Sequence, residues 1–325
     1  AQEFPIIGGR LFLAPTHAHD VVVVEGSVLG GPNMLPPALD VIPSLTAELL
    51  DAGTAKKKKS LIRETLAGRG ISLSFSSSGD RTAFSGRCFP EDLSLLLSTI
   101  AESFGEANFP EAEVKNVKAL ALGELAEEKS DTRVQAERVF AAMLFDPAHV
   151  NYARPLKDEE KSVSSARRTH LQDFRKKLGK GGLILAIAGD INVSTARSIA
   201  EKSFGKLGTG TAVASVKQMN KKVQEAREKL IPIANKANID ILLGATLPLT
   251  LRHELYHPMR VLTDMLGGGG ILRRHLRDDL GADATAQRGT ATTQRTLGRG
   301  NCLSLTVSGS YGACGWRRQR FHLVG

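Results

Sequence analysis

The period of the apolar positions changes several times along the chain, and each change marks an element. "GRLFLAP" (9–15), with Leu and Phe, and the Val-rich "DVVVVEGSVLG" (20–30) are apolar runs bounded by Pro and Gly, and they predict strands. "PSLTAELLDAGT" (43–54) shifts to helical spacing, opened by Pro43 or Ser44 and closed by Gly53. "KSLIRETLAGRG" (59–70) is a second helix with a glycine stop. Alternation then returns in "ISLSFSSS" (71–78) and "RTAFSGRCF" (81–89), as half-buried antiparallel strands require, with "SSGD" supplying the turn.

Helices follow in succession. "PEDLSLLLSTIAESF" (90–104) starts with Pro90 and two acids, which suits the positive end of the helix dipole. "PEAEVKNVKALALGELAEEKSD" (110–131) predicts a long amphipathic helix, and "TRVQAERVFAAMLF" (132–145) another. A loop at 146–155 leads to a helix in "SARRTHLQDFRKKLGKGG" (165–182), a buried strand "LILAIAGDI" (183–191), and a helix in "NVSTARSIAEKSFGKL" (192–207). The expected class is α+β: a mostly antiparallel sheet with helices packed on one face.

Residues 206–225 lose this periodicity and read as a linker. Beyond them the opening theme recurs. "NIDILLGATLP" stands where "DVVVVEGSVLGGP" stood, "MRVLTDMLGGGG" where "IPSLTAELLDAGT" stood, and "ILRRHLRDDLGA" resembles "LIRETLAGRGIS". A repeat at about 210–216 residues predicts two related lobes, 1–205 and 226–325. The second has no counterpart of the long helices at 90–145 and is expected to be incomplete.

Composition narrows the picture. Aromatics are 5% of the 325 residues, so the cores must be built from Leu, Ile, Val and Ala. No apolar run approaches the ~18–20 residues of a membrane span. The start, "AQEFPIIGG", lacks a basic region followed by an apolar one, so any export signal is expected to be gone already. Cys88, Cys302 and Cys314 form no C-x-x-C pair and are expected to be small apolar residues rather than ligands. Net charge is +9, of which +6 falls after residue 270, where nine Arg meet no Lys and no Glu. With no recognition motif among them, these arginines predict an exposed basic surface and no nucleic-acid partner. The abrupt change of composition also suggests a truncated or altered end.

The sharpest chemical candidate is "HELYH", His253 to His257, which spells H-E-x-x-H. On a continuous helix His253 and His257 would share a face, and Glu254 would polarise a zinc-bound water. Pro258 counters this, because inside a helix its ring clashes with the carbonyl of Glu254. No Glu follows His257 to serve as the third ligand, leaving only Asp264, His275, Asp278, Asp279, Asp283 and His322. His17 and His19 in "THAHD" read as a solvated turn, "AKKKKS" (55–60) as the exposed entry of a helix, and "VSGSYG" misses the nucleophile-elbow pattern by one residue.

Taken together, "GSVLGGPNMLP", "LTAELLDAGT", "RETLAGRGISLSFSSSGDRTAFSG", "FPEAEVKNVKALALGELAEEKSDT", "NYARP", "ILAIAGDI" and "MLGGGGILRRHLRDDLG" resemble the pitrilysin, insulysin and mitochondrial processing peptidase family of inverted-motif zinc peptidases. That resemblance implies paired lobes enclosing a chamber for unfolded peptides. It also implies an H-x-x-E-H motif a few residues before a Gly-Thr, with a third carboxylate ligand roughly 76 residues on. Counted back from Gly53-Thr54, the two His positions hold Ser44 and Glu48, and the general-base position holds Ala47. Glu124, 76 residues after Glu48, keeps the third carboxylate. An Arg and a Tyr that the family's second lobe contributes fall on Ile271 and Ala284, although Arg273 and Arg274 lie close.

The sequence therefore points to a non-catalytic homologue, a degenerate half of a peptide chamber paired with an active subunit or a second copy of itself. Zinc is expected only in that partner. The strand residues Ile71, Ser72, Leu73, Ser74, Phe75 and Ser76 are expected to meet the peptide, since a free strand edge can take up an extended segment. Two alternatives stand beside this: a metalloendopeptidase using His253, Glu254 and His257, and a structural scaffold subunit that binds no peptide. The resemblance leans to a bacterial periplasm or cell envelope.

Overall fold

The computed structural model describes residues 1–6, 8–16, 20–147, 149, 151–211, 227–236, 238–243, 246–247, 253–267, 287–294 and 303–312. In chain order the elements are β1 (Gln2–Ile6), β2 (Gly9–Pro15), β3 (Val22–Leu29), α1 (Ile42–Ala47), α2 (Lys59–Ala67), β4 (Ser72–Ser78) and β5 (Arg81–Cys88). Then come α3 (Leu93–Glu106), α4 (Glu111–Glu128), α5 (Thr132–Leu144), α6 (Leu156–Ser165), α7 (Arg168–Lys177), β6 (Leu183–Gly189) and α8 (Val193–Gly205). The described part of the remainder forms β7 (Asn238–Leu243), β8 (Thr246–Leu247), α9 (Tyr256–Gly267), β9 (Gln287–Gln294) and β10 (Leu303–Gly312).

The chain divides into two compact units, 1–125 with 155–217, and 126–154 with 218–325. Residues 126–154 thus group with the second unit, whereas the sequence placed them in the first lobe. The cause is a long-range pairing that local periodicity cannot reveal. Asp131 caps α5 by accepting from the Val134 amide at 2.9 Å, and the Thr132 hydroxyl donates to Asp240 of β7 at 2.5 Å. The expected linker also starts later than residue 206. Lys180 donates its backbone N–H to the Gly208 carbonyl at 2.8 Å, and Thr211 donates to Lys177 at 3.1 Å, so 206–211 belong to the first unit.

The first unit is α+β, built on a six-stranded sheet in the order β1-β2-β6-β3-β5-β4. Only β2 and β6 run parallel; every other neighbour is antiparallel. Leu11, Leu13, Val22, Val24, Leu185 and Ile187 point to one face and are fully buried there, beneath the helices. Phe84 of β5 sits at the centre, edge-on to Phe104 of α3 at 5.8 Å and stacked near Phe204 of α8 at 6.0 Å. Gly26 makes room for it, since a Cβ there would lie 2.3 Å from the Phe84 ring.

Two elements of this unit had no counterpart in the sequence reading. The edge strand β1 is short and carries Pro5, so its only signature is its pairing to β2. Helix α6 is polar, with Asp158 and Glu159 in its first turn after Pro155. Helix α1 is shorter than its spacing predicts. After Glu48, the amides of Leu49, Leu50 and Ala52 bond three residues back instead of four, so the helix tightens into 3-10 turns before Gly53.

In the second unit β10 pairs antiparallel with β7, β8 and β9, and α9 lies against β9 while α5 lies against β7. Strands β9 and β10 were not anticipated from the sequence. The repeat segment "ILRRHLRDDLGA" lies outside the described residues.

Candidate functional site: a remodelled motif helix beside a sheet edge

Helix α1 presents two faces. Ile42, Leu45, Ala47, Leu49 and Leu50 of α1 and the turn after it are buried, while Ser44 and Glu48 are exposed. The Glu48 amide bonds the Ser44 carbonyl at 3.1 Å, so these two side chains stand one helical turn apart on the same side. Ala47, which the count back from Gly53-Thr54 assigns to the general-base position, is 2% exposed and offers only a methyl group.

The turn after α1 is knotted to α3. Gly53 adopts φ +133°, a conformation that only glycine takes without strain. Thr54 is buried; its hydroxyl donates to Glu102 at 3.0 Å and accepts the Lys56 and Lys57 amides at 3.2 and 3.1 Å. Asn108 closes the knot by donating its side-chain amide to the Thr54 carbonyl at 2.8 Å and its backbone N–H to Gly53 at 3.1 Å. Three of the four lysines of the run meet acids: Lys56 meets Glu106 at 3.0 Å, Lys57 meets Glu102 at 2.5 Å, and Lys59 meets Glu113. The run is the exposed entry of α2 that its sequence predicts, with Lys58 as N-cap, and three of its lysines also reach acids of α3 and α4.

The donor set at the motif positions does not fit a catalytic zinc ion. Catalytic zinc takes about three protein ligands, most of them imidazoles, and a nearby base. Ser44, Ala47 and Glu48 supply one hydroxyl, one methyl and one carboxylate. Glu124 of α4 is exposed, and two carboxylates by themselves would suit a hard ion better than zinc. Among the described residues no three His, Cys, Asp or Glu side chains converge as a metal site.

"HELYH" does not lie on one helix. His253 and Glu254 precede α9, and His257 falls in its first turn with Pro258 directly behind it. The His253 carbonyl accepts the Tyr256 amide at 2.9 Å, and its Nδ1 accepts the Leu255 amide at 3.1 Å, which makes the segment a capped turn. The shared helical face on which zinc ligation would depend is therefore not formed. His17, His19, Ile271, Arg273, Arg274, Ala284, Cys302 and Cys314 lie outside the described residues. Cys88 is buried, and burial followed by the charges of Asp92 and Glu91 raises its thiol to about 11, so it is a packing residue rather than a nucleophile.

The sheet has two edges, and they differ in character. At β1, Pro5 removes a ladder donor and Glu3 pairs with Arg10 at 3.6 Å, both devices that discourage strand addition. A groove of about 710 Å³ beside β1 is lined by Phe4, Ile191, Val193 and Arg197, with the guanidinium over the Phe4 ring at 5.2 Å. At β4 the sequence is Ser-Leu-Ser-Phe-Ser-Ser-Ser, without proline or charge, and α1 lies against that strand. Ile71 is buried just before it. The tertiary structure thus places Ser44 and Glu48 on the helix that borders an undefended edge.

The fold is a one-sided α+β lobe with a helix against an edge strand, and direct comparison gives it a family. Residues 45–155 match the family described as Insulinase (Peptidase family M16), and residues 165–299 match the one described as Peptidase M16 inactive domain. The chain belongs to peptidase family M16. Among solved structures, a peptidase M16 inactive domain from Pseudomonas fluorescens superposes with TM-score 0.78 at 18% identity, covering 96% of this chain and 74% of that one. A protease from Helicobacter pylori gives TM-score 0.82 at 16% identity, with 96% and 75% covered. The periplasmic protease PqqL from Escherichia coli gives 0.70 at 17%, with 96% of this chain but 35% of that longer one. At such identities these likenesses establish the fold. No curated protein matches the chain. Among the described residues no helix is long and apolar enough to cross a membrane.

Proposed function

We propose that this chain is a non-catalytic M16 homologue that supplies peptide-binding surface and chamber wall to an active partner, either a different subunit or another copy carrying an intact motif. One observation carries the reading: an undefended sheet edge, β4, is kept beside a helix whose motif positions hold no imidazole and no base. Ile71 to Ser76 form the peptide contact, zinc belongs to the partner, and the positions Ser44, Ala47, Glu48 and Glu124 carry no catalysis. The PqqL relative is described as a periplasmic protease, and we extend that compartment to this chain.

The test uses the purified chain, loaded with zinc, on quenched-fluorescent unfolded peptides. Binding without cleavage is expected, and binding should vanish in Leu73→Pro, which removes a donor from the outward side of β4. The two-residue turn makes Ser78–Arg81 a bonded pair and so turns the amides of Ser72, Ser74 and Ser76 towards β5. Chelator-sensitive cleavage by the isolated chain would overturn the proposal. So would failure of the chain to bind peptide at all.

A further inference from the structure

The two faces of β4 differ in a way that specifies which peptides it would take. Side chains along a strand alternate between faces, and a segment added to the edge sets its own side chains beside those of β4 in register. On the helix side stand Leu73 and Phe75, both half-buried and packed on the core. Phe75 meets Phe104 edge-on at 5.6 Å, and next to Leu73 the neighbouring position is Gly86, over which Leu96 closes to 2.9 Å of where a Cβ would be. A side chain entering beside these two residues borders the hydrocarbon of Leu73 and Phe75.

The opposite face is the reverse. Ser72, Ser74 and Ser76 are exposed, and their register partners on β5 are Arg87, Ser85 and Ala83. The one carboxylate further along the Ser74 row, Glu25, is already engaged by the Ser85 hydroxyl at 2.6 Å. Arg87 stands at the Ser72 end. Among the described residues, a side chain on this face passes over the exposed hydroxyls of Ser72, Ser74 and Ser76.

We infer that the β4 edge selects extended segments by alternation: apolar side chains at two positions i and i+2, beside Leu73 and Phe75, with free choice at the positions between. The substrate class is therefore a strand-forming amphipathic segment, such as an unfolded β-strand of a globular protein, rather than a uniformly polar or charged peptide. This rests on the reading of β4 as the peptide contact, and the two can fail separately.

Three fluorescent nonapeptides of Leu and Gln test it on the full chain: one strictly alternating, one of equal composition with residues in blocks of two, and the alternating one N-methylated on its backbone. The alternating peptide is expected to bind roughly tenfold tighter than the blocked one, and the N-methylated one not at all. Leu73→Ser should bring the first two within about twofold of each other, while Ser85→Ala, one strand in on the opposite face, should leave the preference intact; cooperative thermal unfolding of each variant checks that it folds. Equal affinity for alternating and blocked peptides, with N-methylation still abolishing binding, overturns the alternation rule and leaves the edge contact standing. No binding by any peptide overturns both.

Discussion

Lys57 Nζ lies 2.5 Å from Glu102 Oε2, and the other oxygen of the same carboxylate accepts the Thr54 hydroxyl at 3.0 Å. One side chain of α3 therefore holds both the buried hydroxyl and the ammonium of the turn that follows α1. The exposed Lys56–Glu106 pair beside it, with side chains 72% and 40% exposed, makes a contrast within one lysine run.

Thr54→Val should destabilise the chain by about 2–3 kcal/mol, because it leaves one Glu102 oxygen and two part-buried amides without the Thr54 hydroxyl. Lys56→Ala should shift stability by no more than about 0.5 kcal/mol, as surface pairs do. Urea midpoints of the two variants, compared at constant slope, decide this; equal losses would refute the asymmetry.

Gly189 closes β6 with φ +134°, and a Cβ there would stand 2.0 Å from the Val21 carbonyl oxygen. Backbone cannot yield as a side-chain tip can, so Gly189→Ala should cost about 3 kcal/mol or more and lower soluble yield. A thermal midpoint within a few degrees of the parent would show that the β3–β6 entry is looser than it looks.

The Cys88 thiol, raised from 9.0 to about 11 by burial, then Asp92, then Glu91, gives a pH signature. A folded-state value above the unfolded one contributes stability that is complete below about 9 and is lost as pH rises towards about 11. The stability difference between parent and Cys88→Ala should therefore shrink across that window, by up to about 3 kcal/mol. Below it, the native thiol should resist alkylation until the chain is unfolded in denaturant.

Ser44 and Glu48 share one exposed face of α1 a single turn apart. Ser44→His with Glu48→His should therefore create a two-imidazole site that binds Co²⁺ at micromolar concentration, visible in its absorption spectrum, where the parent gives none. Adding Ala47→Glu places a charge at a position 2% exposed and should destabilise the variant by several kcal/mol. A parent chain that already bound one Co²⁺ at α1 would contradict the reading of the motif as lost.

Much of the first unit was legible because its elements announce themselves locally. The alternation of "ISLSFSSS" fixed a half-buried strand, and Gly79 at φ +59° makes the turn that "SSGD" promised. Other features had no local signal. β1 carries a proline and too few apolar residues to register as a strand, and α5 looks like any amphipathic helix until Thr132 reaches Asp240. The length of α1 was misjudged because helical spacing and 3-10 spacing share their apolar positions over a single turn.

The candidate site divides in the same way. The absence of imidazoles and base at Ser44, Ala47 and Glu48 is a matter of residue identity, and residue identity is what a sequence states outright. That "HELYH" breaks into a turn and a helix start was also foreseeable, because Pro258 acts on the residue four before it. Which strand ends the sheet, and which side of it faces helices, depends on the order β1-β2-β6-β3-β5-β4, in which β2 finds a parallel partner nearly the whole unit away. Such pairings are chosen by the total apolar area buried across the sheet rather than by any segment's own pattern. Residue chemistry therefore decided what this protein lacks, and tertiary packing decided which edge it leaves open.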